Sequence, residues 1–384
     1  MKKTLLIHGR VVLPGEVRDD CAVLIEDGMI SALDPSFVGS AEVFDIGGRI
    51  LMPGMIDLHC DALEKEVEPR PGVHFPLDFA CAQADKRNAA AGITTVFHAI
   101  SFANHELGVR NNAFAADIAR AVHSFQTHAL VDNRVHARYE VTDESGPAFL
   151  TAMLEEGDIH LLSFMDHTPG QGQFKNIAAY RTFLKSTYNQ SEARLDNILA
   201  VKERASQGLL ERMRILSATA RRCGVTIASH DDDCAEKVEN LAELGAAISE
   251  FPVNMETARA ARREGMATLF GAPNVLRGRS QSGSMRALDG VIAGVADCLC
   301  GDYSPAALLP SVLRLPELTD ISLAEAIAMV TRNPARAIGF ADRGEIVPGK
   351  RADLVEVNLL GELPQAQRIW KRGVPILSAF FDVR

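Results

Sequence analysis

The sequence predicts an α/β protein: a (β/α)8 TIM-like barrel joined to a small β-sandwich domain built from both chain ends. Three observations predict it. Helical stretches repeatedly end at a glycine that an apolar, β-branched run follows at once; eight such strand runs can be counted; and the two ends of the chain share a strand-and-turn style that the middle lacks. Glycine after a helix closes it in the left-handed conformation, and a short apolar run then reads as a buried parallel strand.

The elements follow in order. Residues 1 to about 50 carry short β-prone runs, TLLIHGRVV, CAVLIEDGMISAL and AEVFDIGGRIL, without a helical period. GEIVPGKRADLVEVN and RIWKRGVPILSAFF return to that style near the other end. The predicted division is therefore 1–50 with 344–384 for the β-domain and 51–343 for the barrel. Within the barrel, PGMIDLH comes first. Gly92 precedes ITTVFHAI, VHARYEV follows, and Gly157 precedes DIHLLSFMDH. Gly224 precedes VTIASH, Gly245 precedes AAISEF, Gly265 precedes MATLFGAP, and VADCLCGD is the eighth run. Repeated βα units over roughly 250–300 residues match an eight-stranded barrel. A doubly wound open sheet is the alternative, and the missing Gly-rich turn after the first strand speaks against it.

The totals fit this size. The chain has 384 residues, 47% of them hydrophobic, enough for one large core and a smaller one. No apolar run reaches the roughly 18 residues needed to cross a bilayer. The opening apolar run, Leu5 to Ile7, stops at His8, short of the about 7–15 residues of a secretory core. It reads as the first strand of a cytoplasmic protein. Seven cysteines without a CxxC fit reduced thiols. A net charge of −10 argues against nucleic-acid binding, and an anionic small substrate then requires locally clustered cations.

Catalysis in such a barrel sits at the C-terminal strand ends. Those ends read His59 and Asp61, His98, Glu140, Asp166 and His167, His230 with Asp231, Glu250, and Asp302. Residues two apart on a strand share a side, so His59 and Asp61 converge as half of a divalent-metal site or, alternatively, stand on a surface turn. Seven ends offering acid or imidazole on one rim point to the metal. Individual roles stay open. His98 and Glu250 each read as a substrate contact or a structural hydrogen bond. Asp166 orients His167 or binds metal itself. Asp231, Asp232 and Asp233 support the site or cap the helix CAEKVENLAEL. Cys60 should face away from the HxD pair, Cys298 and Cys300 should pack as small hydrophobes, and Cys234 is assigned no metal.

Cations and backbone donors for phosphate gather in NVLRGRSQSGSMR. It holds Asn274, Arg277, Arg279 and Arg286, the hydroxyls of Ser280, Ser282 and Ser284, and flexible Gly278 and Gly283. The alternative is an ordinary solvated loop. Gln171 and Lys175 in PGQGQFK, and Arg70 in RPG, are further substrate-binding candidates.

PGMIDLH, His230, Asp302, and NPARAIGF followed by GEIVPGKRADLVEVN resemble the amidohydrolase superfamily over nearly the whole chain. DLHCDALEKEVEPRPGVHFPLD, GITTVFHAIS, SFMDHTPGQGQF, ASHDDD and GAPNVLRGRSQSGS are similar to the PhnM-type triphosphohydrolases of phosphonate metabolism. That resemblance implies hydrolysis of α-D-ribose 1-methylphosphonate 5-triphosphate to the 5-phosphate and pyrophosphate in the carbon–phosphorus lyase pathway. Attack on an amide, lactam or N-acyl substrate is the second enzyme reading, and a catalytically silent assembly subunit is a third. The chain departs from the superfamily in offering HxD for the commoner HxH, and Asp166 with His167 where many members carry a bridging carbamate or glutamate. Glu140 is the substitute bridge, as in some deacetylases. The expected ligands are His59, Asp61 and Asp302 on one ion, and His167 and His230 on a second, with Glu140 between them. One or two ions are expected, zinc first, then manganese or iron. Asp302, Glu140 and His230 are the expected catalytic groups, the partner is a triphosphorylated sugar phosphonate, and barrels of this type commonly pair as homo-oligomers.

Overall fold

The computed structural model describes residues 3–104, 111–166, 208–280 and 283–381. Sixteen strands form two sheets among them. The first sheet takes β1 (Lys3–Leu13), β2 (Glu16–Glu26), β3 (Met29–Leu33), β4 (Glu42–Asp45) and β5 (Ile50–Pro53). The barrel takes β6 (Met55–Cys60), β7 (Ile93–Phe102), β8 (Asp132–Glu140), β9 (Leu161–Met165), β10 (Thr226–His230), β11 (Ala246–Glu250), β12 (Ala267–Gly271) and β13 (Cys298–Cys300). The last strands, β14 (Leu354–Leu360), β15 (Leu363–Lys371) and β16 (Val374–Ser378), return to the first sheet. Its order is β16-β15-β14-β5-β1-β2-β3, with β4 parallel to β1. Trp370, Leu6, Ile30 and Leu51 make its buried core. Because β5 pairs with β1 and β14, this sheet reaches Pro53, and the chain enters the barrel at Met55.

The second sheet runs from β6 to β13 in chain order, every pair parallel. It closes on itself. Asp302 N–H donates to His59 O and Asp61 N–H to Asp302 O, both at 2.9 Å, joining the end of the last strand to the end of the first. All eight expected runs are strands, and β6, β7, β9 and β13 are buried at every position. Burial on both faces explains their unbroken apolar runs. The helices outside bury one stripe each. Leu209–Arg222, for example, turns Met213, Leu216 and Ala220 inward at spacings of three and four. Gly157 ends the helix Gly146–Glu156 at φ 81°, where a Cβ would clash with the next carbonyl. The fold is therefore a TIM barrel with a β-sandwich domain. Among the described residues no helix is long and apolar enough to cross a membrane.

At the barrel's lower end, the ring of Phe340 lies between Arg134 and Arg343, 4.9 and 4.4 Å from its centroid. Arg343 reaches Asp132 at 2.6 Å, so the segment returning to the β-sheet also plugs the barrel floor. At the upper end, Gly301 leads into Asp302 with no room for a side chain. A Cβ there would overlap Asp57 Oδ2 and lie 2.8 Å from Pro305 Cα. Gly301→Ala is expected to destabilise the chain by about 1–3 kcal/mol, the usual cost of overpacking. Urea unfolding checks it.

Candidate metal centre

The third barrel strand supplies the least expected part of the centre. Side chains alternate along β8, so Val135, Ala137 and Tyr139 pack outward into the layer under the helices. His136, Arg138 and Glu140 take the opposite face, toward the barrel axis. His136 lies deepest and is fully buried. Its Nδ1–H donates to the Leu58 carbonyl at 3.1 Å, and its Nε2 accepts from the Ser163 hydroxyl at 2.9 Å. With both nitrogens used this way the ring is neutral, and burial pushes its pKa down to about 3.

Above it three donors converge. His59, His230 and Glu250, all buried, each offer a ligand atom, and these atoms lie within 4.8 Å of one another. The two imidazoles stack with centroids 5.3 Å apart and planes at 23°. His59 Nδ1 stands 3.4 Å from Glu250 Oε1, yet neither atom has a hydrogen-bond partner among the described residues. Buried polar atoms are rarely left so. Two imidazoles and a carboxylate facing a common point are a donor set that suits a divalent transition metal, and these orphaned atoms fit its place. Without an ion the group balances its own charge. Burial opposes a charge on His59, but Glu250 and Asp61 hold its proton and raise its pKa to about 10. Burial likewise opposes a charge on Glu250, and the protonated His59 nevertheless holds it well below the usual carboxylate range.

Phe251 completes the wall, its ring edge-on to His59 at 4.9 Å and to His230 at 5.2 Å. It has φ 52°, and the residues after two other strand ends, Asp231 and Asp302, have φ 54° and 52°. Three side-chain-bearing residues in the left-handed region on one rim mark strain of the kind that collects at functional sites. Gly271, the end of β12, leaves space here: a Cβ would sit 3.3 Å from Asp302 Oδ2 and 3.6 Å from Phe251. Burial and then the charge of Asp61 raise the Asp302 carboxyl to about 6.

The expected residues are placed as follows. His59 and His230, expected on separate ions, stand together in one cluster with Glu250. Asp61 lies 3.5 Å from His59 Nε2 and 3.3 Å from Arg138 Nη2. Glu140 is buried at the strand end, where its Oε1 accepts from Thr142 at 2.9 Å, and it is not one of the clustered donors. Asp166 follows β9; His167, Gln171, Lys175 and Ser282 lie outside the described residues. His98 is not at a strand end, because β7 continues to Phe102, and its Nε2 bonds Asn133 at 2.8 Å on the outer side. No residue of the run from Asp231 to Asp233 occupies the helix cap: Ala235–Glu243 begins after Cys234. Asp232 instead accepts from the hydroxyls of Ser229 and Ser249, tying β10 to β11. Cys60 turns away toward Asn88, and Cys298 and Cys300 pack inside the barrel.

On the phosphate-binding candidates, Arg277 is exposed and donates to the Tyr303 hydroxyl at 3.2 Å, beside Asp302. Arg279 is exposed and Ser280 half-buried. Arg70 is exposed on the turn it forms with Val73. Asn274 Oδ1 accepts from the Ala287 amide at 3.1 Å, and so holds the next helix. Arg286 is exposed and paired with Asp289 through two hydrogen bonds. His136, Arg138, Phe251 and Tyr303 were not anticipated. The two-residue period of VHARYE carries the signal for the first two.

One consequence is measurable. Because His59 keeps its proton up to about pH 10 without an ion, a metal must displace that proton. Affinity for zinc should therefore rise with pH up to about 10, by up to roughly tenfold per unit for one proton released. Calorimetry in two buffers of different ionisation enthalpy reads the proton directly.

Residues 192–368 match the Amidohydrolase family. The α-D-ribose 1-methylphosphonate 5-triphosphate diphosphatase of Escherichia coli strain K12 is 33% identical over 95% of this chain and 97% of its own. A dihydroorotase of Methanopyrus kandleri is 25% identical over 92% and 86%. Among solved structures, N-acetylglucosamine-6-phosphate deacetylase from Pasteurella multocida superposes with a TM-score of 0.67 at 12% identity, covering 97% of this chain and 99% of its own. N-isopropylammelide isopropylaminohydrolase from Burkholderia multivorans gives 0.66 at 17% identity, covering 98% of each. The barrel and the full-length similarity together show that the chain belongs to the amidohydrolase superfamily of hydrolases.

Proposed function

We propose that the chain is a metal-dependent diphosphatase that cleaves α-D-ribose 1-methylphosphonate 5-triphosphate to the 5-phosphate and pyrophosphate. The observation that carries it is the cluster of His59, His230 and Glu250 at the barrel rim, in a chain 33% identical to the E. coli enzyme of that name. The three donors would hold one divalent ion, zinc before manganese or iron. Bound there, the ion would lower the pKa of a water from about 15.7 to about 7. Asp302, half-buried and raised to about 6, accepts the proton of the attacking water and returns it to the leaving side. Attack forms one P–O bond and breaks the anhydride bond, releasing pyrophosphate. Arg277, Arg279, Ser280 and Ser282 on the loop after β12, with Gln171, Lys175 and Arg70, would take the phosphates, and Tyr303 holds Arg277 in place.

In this reading residues 51–343 carry the chemistry, and the β-domain of 1–50 and 344–384 braces the barrel floor. A cytoplasmic location and pairing of chains go with it. The test is release of pyrophosphate from the ribosyl phosphonate triphosphate by metal-loaded protein, beside a panel of N-acyl amino acids and acylated sugars. No pyrophosphate from folded, loaded protein would refute the substrate, and turnover of an amide would replace it.

A further inference from the structure

We infer that Ser163 and His136 form a fixed hydrogen-bond chain beneath the metal centre, which positions Glu250 and leaves its Oε1 open to the ion. This rests on the metal centre proposed above and concerns the residues that support it. His136, Ser163 and Glu250 are all fully buried, on β8, β9 and β11. The His136 Nε2 lies 2.9 Å from Ser163 Oγ and 3.6 Å from Glu250 Oε1. Its ring meets His59 edge-on, with centroids 5.1 Å apart and planes at 81°. An imidazole outside the donor set thus packs against two of the three donors.

The partners of His136 decide which of its nitrogens carries the proton. The Leu58 carbonyl, 3.1 Å from Nδ1, can only accept, so the ring proton sits on Nδ1. Nε2 then presents a lone pair and takes the Ser163 hydroxyl as its donor. A nitrogen that accepts gives Glu250 nothing to bind, and Oε1 is left without a hydrogen-bond partner among the described residues. The opposite tautomer would aim Nε2–H at that oxygen and turn a lone pair on the Leu58 carbonyl. Leu58 precedes the donor His59 on β6, so the same bond ties the His136 ring to the strand that carries that donor. Glu250 itself is held through Oε2, 3.2 Å from His230 Nδ1, and faces His59 Nδ1 at 3.4 Å through Oε1. Supports of this kind orient the ligands of a metal and set its affinity.

The test reads the tautomer and the metal separately. Heteronuclear NMR of histidine-labelled, metal-free protein should show the His136 ring protonated on Nδ1, its signals assigned by their shift in Ser163→Ala. Ser163→Ala, shown folded by circular dichroism, should bind zinc about 10- to 100-fold more weakly than the unchanged chain in titration against a competing dye. A purely structural Ser163 would lower the melting temperature of the metal-free chain and leave zinc affinity alone. A ring protonated on Nε2, or zinc bound by folded Ser163→Ala as tightly as by the unchanged chain, would overturn the inference. Should Ser163→Ala not fold, the tautomer decides alone, with the ring of His136 assigned by selective labelling. No zinc in the unchanged chain would instead overturn the metal centre itself, and this inference with it.

Discussion

Changing His230 to alanine is expected to lower turnover by about a thousandfold or more, because in the proposed site the ion that would make water acidic loses one of its three protein donors. The same preparation should lose metal on desalting. His230 is a suitable place to look because its removal leaves the barrel's support in place. Its ring lies against Phe251 and His59 at the rim, while β10 is held by its parallel ladders to β9 and β11 and by the Asp232 hydroxyl ties. The variant should therefore melt as one cooperative unit close to the unchanged metal-free chain. Comparing both chains free of metal separates loss of a ligand from loss of fold. Near-normal turnover in the alanine variant would remove His230, and with it the cluster, from the chemistry.

The barrel was legible because its signals are local. A glycine that ends a helix and a β-branched run behind it each act within a few residues, and all eight runs became strands. The sandwich was legible from resemblance of style between the two chain ends. The centre was only half legible, for a geometric reason. His59, His230 and Asp302 announce themselves by standing at the ends of apolar runs. His136 and Arg138 lie inside a strand, where a polar residue faces either the helices or the axis, and only parity decides. Parity along VHARYE sets both with Glu140, whereas along ITTVFHAISF it sends His98 outward to Asn133. Which of these side chains gather was not legible, since that depends on how strand ends are arranged around the closed ring. His59 and His230 come from the first and fifth barrel strands, and only the structure sets their rings 5.3 Å apart.

Asp302→Asn should reduce kcat by about 10²- to 10⁴-fold, the range for loss of a positioned acid or base. Unlike the His230 change, it should leave the metal in place, since Asp302 is not one of the three clustered donors. Asparagine keeps the size of the side chain and the backbone bonds to His59 and Asp61, so the ring of strands stays closed. Burial, and then the charge of Asp61, hold the acid near 6, and a base with that pKa gives a rate that climbs as pH rises through about 6. The asparagine variant should lose that limb of the profile. Stability gives a second readout of opposite sign. A carboxyl whose folded pKa lies above its unfolded value stabilises the fold in acid, fully below about pH 4, and that contribution fades as pH rises through about 6. Metal-free Asp302→Asn should therefore gain in melting temperature relative to the unchanged metal-free chain as pH goes from 5 to about 7.5. A variant that retains its metal but shows neither the lost limb nor the relative gain would make Asp302 a structural residue and move the proton transfer elsewhere.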